Sequence, residues 1–288
     1  MSRPLRLQVP GGVYHVMSRG NDRQEIFLDD GDRRRFLMTL SSVTECLNVL
    51  CHASCLMGNH YHLLLETPDA NLSLAIRQLN GVYAQDFNRR HERVGHLLQG
   101  RFKSQLVEKE AYLLAVSRYI ALNPVRSNLV STPSRWMWSS YRAQIGLAAP
   151  PSFLTLDWVL SRFGTSDRRA AQAAYRRFVR DGMNDGNLAL DAKSILGGET
   201  FVKKFREVLA AGAPLKESPR VQRFLARPTL EKIFAGWSGH SDRNARICEA
   251  YFRNAYRMRE IADHLGFHPA TISRAVRAAA GKEPRSKS

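Results

Sequence analysis

The sequence predicts an α+β fold in which an antiparallel sheet with helices is followed by an all-helical region. Short apolar segments in the first half of the chain show the two-residue alternation of strands, and longer segments with the helical period separate them. A tight-turn signal, Gly58-Asn59, joins two of the short segments into a hairpin. From about residue 150 onward the apolar pattern is helical.

The first strand and the first helix are predicted between residues 13 and 47. The segment Val13–Met17 follows a Gly11-Gly12 turn and has the residue types of a strand. Asp29 and Asp30 can cap a helix over residues 32–47, since aspartate accepts hydrogen bonds from the free N–H groups of a first turn. The apolar positions that fit the helical period are Phe36, Leu37, Leu40, Val43 and Leu47.

A hairpin and a second helix follow. Two strands are predicted at Val49–Met57 and His60–Glu66, on either side of the glycine turn. The next helix runs from about Leu72 to Arg90. One apolar stripe on it is formed by Leu72, Ile76, Leu79, Tyr83 and Phe87.

A fourth strand and a third helix complete the first half. Arg101–Val107 is predicted as a strand and Glu110–Leu122 as a helix, which Pro124 ends because proline disfavours a helical residue before it. The order strand-helix-strand-strand-helix-strand is the ferredoxin-like arrangement, an antiparallel sheet with helices packed on one face.

The chain divides into three predicted regions. The composition changes near Ala148-Ala149-Pro150-Pro151, which suggests a sheet domain at 1–147, a helical linker region at 148–227 and a further domain at 228–288. In the middle region a turn is predicted at 181–186, and a row of arginines forms either a basic lobe or a solvated helix face. These arginines are Arg168, Arg169, Arg176, Arg177 and Arg180. Residues 281–288 resemble a disordered basic tail.

The net charge points to a polyanionic partner. The 288 residues carry a formal charge of +17, and the pI is about 10.3. Residues 1–150 have 18 basic and 12 acidic side chains, and residues 151–288 have 25 and 14. Such an excess favours nucleic acid first and an anionic membrane surface second.

Cysteine usage and hydropathy predict a cytoplasmic protein. The four cysteines are Cys46, Cys51, Cys55 and Cys248, and none forms a Cys-x-x-Cys pair. Buried free thiols in a reducing compartment are therefore expected, rather than a zinc ribbon or a redox motif. The first residues lead to no apolar core of signal-peptide length, and no segment approaches the ~20 apolar residues of a membrane span.

Two short motifs predict chemistry on phosphodiesters. His60 and His62 project from one face of a strand because strand side chains repeat every two residues. Tyr119 and Asn123 lie four residues apart on one face of a helix. Two imidazoles and an amide oxygen make a plausible site for Mg²⁺ or Mn²⁺, without excluding zinc, and the phenol is a possible nucleophile if a cation activates the phosphate.

Other readings of these residues remain open. Tyr119 can be a core tyrosine, and Asn123 can be a helix C-cap before Pro124. A rival nucleophile is Tyr83, but its stripe is apolar and the residue four places on is Phe87, which cannot bind a metal. This spacing favours a core position for Tyr83.

The segment at residues 259–276 has the pattern of a helix-turn-helix. Gly266 allows the turn, Pro269 suits the first turn of a second helix, and Ala262 is small enough for the two helices to approach. The predicted small core consists of Ile261, Leu265, Ile272 and Val276. The side chains presented to a duplex or a stem would be His268, Thr271, Arg274 and Arg277. A helical hairpin used only for packing is the alternative.

The first half of the chain resembles the single-tyrosine HUH transposases, and most closely the REP-associated tyrosine transposases. The motifs that carry the resemblance are Tyr14-His15-Val16 with Arg19-Gly20-Asn21, Met57-Gly58-Asn59-His60-Tyr61-His62, Gly100-Arg101-Phe102-Lys103-Ser104, Tyr119-Ile120-Ala121-Leu122-Asn123-Pro124-Val125-Arg126 and Trp138-Ser139-Ser140-Tyr141. The resemblance implies a ferredoxin-like nuclease fold over residues 1 to about 145. It also implies metal ligands at His60, His62 and Asn123 and a 5′-phosphotyrosine link at Tyr119, which a 3′-hydroxyl attacks in rejoining.

The expected substrate is single-stranded or hairpin DNA. Phosphate contacts are predicted at Arg19, Arg101, Lys103 and Arg126, although each could be a solvated charge. The leading hypothesis is a metal-dependent enzyme that nicks and rejoins DNA, acting as a monomer or a homodimer. The alternatives are a DNA-binding regulator with an inert nuclease centre and an enzyme of replication initiation.

Overall fold

The computed structural model describes most of the chain. The described residues are 7–164, 166–183, 195–210, 228–254, 256 and 258–279. The predicted basic tail at 281–288 lies outside them, as does the second half of the predicted turn at 181–186.

Five strands of the described residues form one sheet. They are β1 (Gly12–Arg19), β2 (Leu50–Leu56), β3 (His60–Thr67), β4 (Lys103–Val107) and β5 (Ile195–Leu196), in the order β2-β3-β1-β4-β5. The first four are antiparallel neighbours in the ferredoxin-like order, as predicted. The short β5 pairs in parallel with β4, so it adds a parallel strand to the predicted antiparallel sheet and the sheet as a whole is mixed.

Two helices pack on one face of the sheet. They are α1 (Asp30–Cys46) and α2 (Leu72–Arg90). Asp29 caps α1 by accepting a hydrogen bond from the Asp32 N–H at 2.9 Å, as predicted. The ring of Tyr61, which points to this face, lies 4.8 Å from Phe36 of α1, and its hydroxyl donates to Asn80 of α2 at 2.6 Å.

The third helix, α3 (Lys109–Arg126), packs on the opposite face. Its Tyr119 ring lies 5.8 Å from His62, which points away from the face that Tyr61 occupies. The two helices of the predicted ferredoxin-like unit, α1 and α2, therefore share one face as predicted, and the further helix α3 covers the other face. Both faces of this sheet carry apolar side chains, and each face needs a covering layer.

The helix α3 continues through Pro124, so the predicted end of the helix at this proline is also wrong. Pro124 is buried, and packing outweighs the missing N–H bond. The last turn closes because Ser127 N–H donates to the Asn123 carbonyl at 3.0 Å and Leu129 N–H donates to the Pro124 carbonyl at 2.9 Å.

The remaining described residues are mostly helical, as predicted, except for β5. The helices are α4 (Tyr141–Gln144), α5 (Asp157–Leu160), α6 (Arg168–Asp181), α7 (Glu199–Ala210), α8 (Leu230–Phe234), α9 (Gly239–Cys248), α10 (Met258–Leu265) and α11 (Pro269–Ala279). No helix among the described residues is both long enough and apolar enough to cross a membrane.

The pair α10 and α11 occupies the predicted helix-turn-helix segment. A three-residue connection begins at Gly266, whose φ of +67° lies in the left-handed region that glycine adopts without strain. Ile261, Ile272 and Val276 are buried and Leu265 is partly buried, as the predicted core requires. The role of this pair in binding DNA stays a prediction.

Candidate active site

Two imidazoles project from the same face of β3 near its start. The ring centroids of His60 and His62 are 5.0 Å apart, and the ring planes are nearly perpendicular. His62 is 2% exposed, whereas His60 is half-buried. An imidazole nitrogen lies about 2.1 Å from a bound ion. Two rings this close can therefore share one ion.

The hydrogen bonds of Asn59 fix the tautomer of His60. The Asn59 Nδ2 donates to the Arg23 carbonyl at 3.0 Å, which leaves the Asn59 Oδ1 as an acceptor. His60 Nδ1 lies 2.7 Å from that oxygen and must donate to it. In a neutral ring the lone pair is then on Nε2.

The tautomer of His62 is influenced by a hydrogen bond with His15 of β1. His62 Nδ1 lies 2.9 Å from His15 Nε2, and His15 Nδ1 lies 3.3 Å from Gln105 Oε1. Sequence reasoning used His15 only as part of a motif and missed this contact. The two-residue repeat could have placed His15 on one face of β1. The register that brings β1 beside β3 is a property of the folded sheet.

Burial keeps these imidazoles neutral. Desolvation lowers the pKa of His60 to about 4, with a smaller contribution from Arg19. Desolvation also lowers the pKa of His62 well below its ordinary value, and the neighbouring His15, His60 and Arg19 lower it further. A neutral imidazole has the lone pair that a cation requires.

Tyr119 lies against the two buried imidazoles. Its ring centroid is 5.8 Å from His62 and 5.7 Å from His15, in edge-on geometry. The ring is half-buried at the edge of the core. Burial raises the pKa of the hydroxyl, and the positive charges of Arg126 and Arg19 oppose this effect. The phenol is thus protonated at neutral pH and needs activation to act as a nucleophile.

Asn123 lies one helical turn after Tyr119 and is buried. Its Nδ2 donates to the Tyr119 carbonyl at 2.9 Å, so its Oδ1 faces away from that bond. Within the described part of the chain this oxygen accepts no hydrogen bond. The C-cap reading of Asn123 fails because α3 continues to Arg126. Its role as a metal ligand stays a prediction.

The side chains at this site could hold a divalent cation only through uncharged ligands. Among the described residues, no group of three or more His, Cys, Asp or Glu side chains has a geometry that could hold a metal ion. The predicted set is instead two imidazoles and one amide oxygen, which would leave coordination positions for phosphate and water.

A salt bridge at the other end of α3 sets the position of Tyr119 along β3. Lys109 Nζ lies 2.7 Å from Glu66 Oε1 at the start of the helix. Ten helical residues from Lys109 to Tyr119 span about 15 Å. Four strand residues from Glu66 to His62 span about 13 Å. The helix therefore runs back along the strand and brings the phenol over the imidazoles.

The predicted phosphate contacts lie around this site. Arg126 is 5.3 Å from the Tyr119 ring centroid. The Arg19 Nε is buried without a hydrogen-bond partner among the described residues. Lys103 is exposed on the same sheet face, and Arg101 is exposed just before β4.

Tyr83 is a core residue, as its apolar stripe predicts. It is 1% exposed, and its hydroxyl donates to the Ile26 carbonyl. Burial strongly raises the pKa of the Tyr83 hydroxyl. Tyr83 packs with Tyr61 around Phe36, on the sheet face opposite to His62.

The predicted DNA contacts on α11 and at His268, just before it, are partly accessible. His268 and Arg274 are exposed and Thr271 is half-buried, whereas the side chain of Arg277 lies outside the described part of the structure. On α6 the five arginines named above are all exposed.

The first half of the chain is similar to known proteins. Residues 8–123 match the family model "Transposase IS200 like". A Haemophilus influenzae protein described as a REP-associated tyrosine transposase is 25% identical over 169 residues, 55% of this chain and 93% of that protein.

A solved structure of a REP-associated tyrosine transposase bound to a REP hairpin also aligns with the chain. It is 18% identical, covers 54% of this chain and 92% of its own, and has a TM-score of 0.45.

Proposed function

Because residues 8–123 match the family model of the IS200-like transposases, we propose that this chain nicks and rejoins single-stranded DNA through a 5′-phosphotyrosine intermediate. The observation that carries the proposal is the contact of the Tyr119 ring with His62, whose Nε2 makes no hydrogen bond to any described residue. A nucleophile beside a cation site is what transfer of a phosphodiester by tyrosine requires.

In the proposed cleavage step, Tyr119 Oη forms a bond to the phosphorus and the bond from phosphorus to the 3′-oxygen breaks. The phenolic proton leaves, and the departing 3′-oxygen takes up a proton to give a free 3′-hydroxyl. Rejoining reverses these changes, since the energy of the phosphodiester is kept in the phosphotyrosine. A bound Mg²⁺ or Mn²⁺ would neutralise charge on the phosphate oxygens. His60, His62 and Asn123 would hold it.

Arg19 and Arg126 have two roles in this proposal. Both cations lower the pKa of Tyr119 against the effect of burial, which favours loss of its proton. Both also lie where they can bind the phosphate that Tyr119 attacks, with Lys103 and Arg101 extending the basic surface along the strand edge. Such contacts position the backbone without reading its sequence.

The proposed partner is single-stranded DNA that adjoins a hairpin, and a DNA substrate would be met in the cytoplasm. The net charge of +17 and the kinship with a REP-associated transposase support this partner. The chain could act as a monomer or as a homodimer.

We propose further that α11 binds the stem through His268, Thr271, Arg274 and Arg277. Arg274→Gln should then weaken hairpin binding in a gel shift and leave adduct formation at saturating DNA unchanged. An unaltered gel shift would assign α11 to packing.

The test of the proposed function is formation of a covalent adduct. The full chain is incubated with labelled hairpin DNA and Mn²⁺ or Mg²⁺, and the products are separated on a denaturing gel. Tyr119→Phe should abolish the adduct and keep DNA binding. Tyr83→Phe is the matched control, because it removes the other candidate hydroxyl, and it should retain the adduct.

Loss of the adduct in Tyr83→Phe alone would show that the nucleophile is misassigned. Binding without any adduct in the wild-type protein, with either metal, would favour the DNA-binding regulator with an inert centre.

A further inference from the structure

We propose that His15 is a positioning residue, which holds His62 in the tautomer whose Nε2 can bind a cation, and that Gln105 holds His15 in turn. The inference rests on the proposed function, because it takes His62 to be an ion ligand. It adds two residues from neighbouring strands to the site.

The direction of the hydrogen bonds among Gln105, His15 and His62 follows from the Gln105 Oε1, which can only accept. The Gln105 Oε1 has no proton, so His15 Nδ1, at 3.3 Å, must donate to it. A neutral His15 then has its lone pair on Nε2. His62 Nδ1, at 2.9 Å, must donate to that lone pair, which leaves the lone pair of His62 on Nε2.

The sheet register holds these three side chains together. His15 stands directly opposite Gln105 of β4 and beside β3, so the chain of hydrogen bonds crosses three strands. The planes of the two imidazoles are within 12° of parallel, with centroids 5.1 Å apart. A metal-bound histidine is oriented by the partner of its second nitrogen, and loss of such a partner typically costs 10- to 100-fold in metal affinity.

Burial makes His15 harder to replace than the partner of His60. His15 is 7% exposed and His62 is 2% exposed, so bulk water is a poor substitute for a lost acceptor between them. Asn59 performs the equivalent task for the half-buried His60, where water can substitute. The loss of His15 should therefore cost more metal affinity than the loss of Asn59.

The first experiment determines tautomers in the full-length, metal-free protein. Long-range ¹H–¹⁵N NMR of the imidazole rings should show His62 protonated on Nδ1 in the wild type. His15→Phe keeps a ring of similar size but removes the acceptor, and the signal should no longer correspond to a single Nδ1–H form. His15→Gln supplies an acceptor oxygen and should restore it.

The second experiment measures Mn²⁺ affinity by EPR titration on the same proteins. His15→Phe should lose about 10- to 100-fold and His15→Gln should recover most of that loss. Asn59→Ala should lose less than His15→Phe. A purely structural role for His15 predicts no such dependence on an acceptor. If His15→Phe fails to fold, Gln105→Leu removes the outer acceptor and should alter the His62 tautomer.

Protonation of His62 on Nε2 in the wild-type protein would overturn the inference, as would full Mn²⁺ affinity in His15→Phe. If the wild-type protein binds no Mn²⁺, the metal step of the proposed function fails. The tautomer of His62 then decides the present inference by itself.

Discussion

The two ends of one sheet face contain similar residue types in opposite electrostatic states. The open end consists of His15, His60, His62 and Tyr119, and the charged groups that influence their pKa values are the cations Arg19 and Arg126. The closed end consists of His52, Glu66, Lys109 and Trp158. There the charges of opposite sign are paired.

Pairing at the closed end is extensive. His52 Nε2 lies 2.9 Å from one oxygen of Glu66, and Lys109 binds the other oxygen. Burial raises the pKa of Glu66, but the hydrogen bonds from His52 and Lys109 outweigh it and lower the pKa. Lys109 Nζ also lies 4.1 Å from the centroid of the Trp158 ring.

The comparison shows how neighbours decide what a buried histidine does. At the closed end each charge has a partner, and the cluster fixes the start of α3 on the sheet. At the open end the cations Arg19 and Arg126 lie near the imidazoles and the phenol of Tyr119. A bound phosphate and its metal ion would fit this arrangement. The salt-bridged cluster indicates a structural role, whereas titratable groups with shifted pKa values beside cations indicate a functional site.

The largest expected effect is at the open end. His60→Ala should lower the DNA cleavage rate by at least about 100-fold, because it removes a proposed ligand rather than a residue that orients one. His60 is half-buried, so the free energy of unfolding should change by no more than about 1 kcal/mol. Cleavage kinetics and urea denaturation of the same preparation measure both quantities. Wild-type cleavage in this variant would refute the site.

The matched change at the closed end should have the opposite profile. His52→Ala leaves Glu66 without one partner and creates a cavity, since His52 is fully buried. We expect the free energy of unfolding to fall by about 2–4 kcal/mol. Cleavage per folded molecule, measured well below the unfolding midpoint, should stay within a few-fold of wild type. A stable His52→Ala protein with no cleavage would contradict the assignment of a structural role to the closed end.

A smaller effect is expected for the cations of the open end. Arg126→Gln should weaken binding of single-stranded DNA several-fold and reduce the slope of log affinity against log salt by about 0.7, the value for one phosphate contact. Lys109→Gln is the control, because the charge of Lys109 is already paired with Glu66. Equal salt slopes for Arg126→Gln and the wild type would exclude a phosphate contact at Arg126.

The local periods of the sequence predicted much of this arrangement. The bounds of α2 agree with the apolar stripe from Leu72 to Phe87, and the two-residue repeat placed His60 and His62 on one face. Nothing local specifies the register between β1 and β3, so the contact between His15 and His62 could not be predicted. The two residues of β5 are too few to show a period.

Tertiary packing also overrode one local signal. Pro124 is a helix breaker by its own chemistry, yet it is buried within α3. The side of the sheet that α3 covers depends on how the chain returns after β4. That return, with the salt bridge of Lys109 to Glu66, is what brings Tyr119 to the imidazoles.

The most direct test of this account is pulsed EPR of Mn²⁺ bound to the full-length Tyr119→Phe protein, which cannot form an adduct. The account predicts ¹⁴N couplings from two imidazoles. It also predicts that His60→Ala and His62→Ala each remove one of them and that His52→Ala removes neither. Mn²⁺ that binds without nitrogen couplings, or couplings that survive the loss of both His60 and His62, would contradict it.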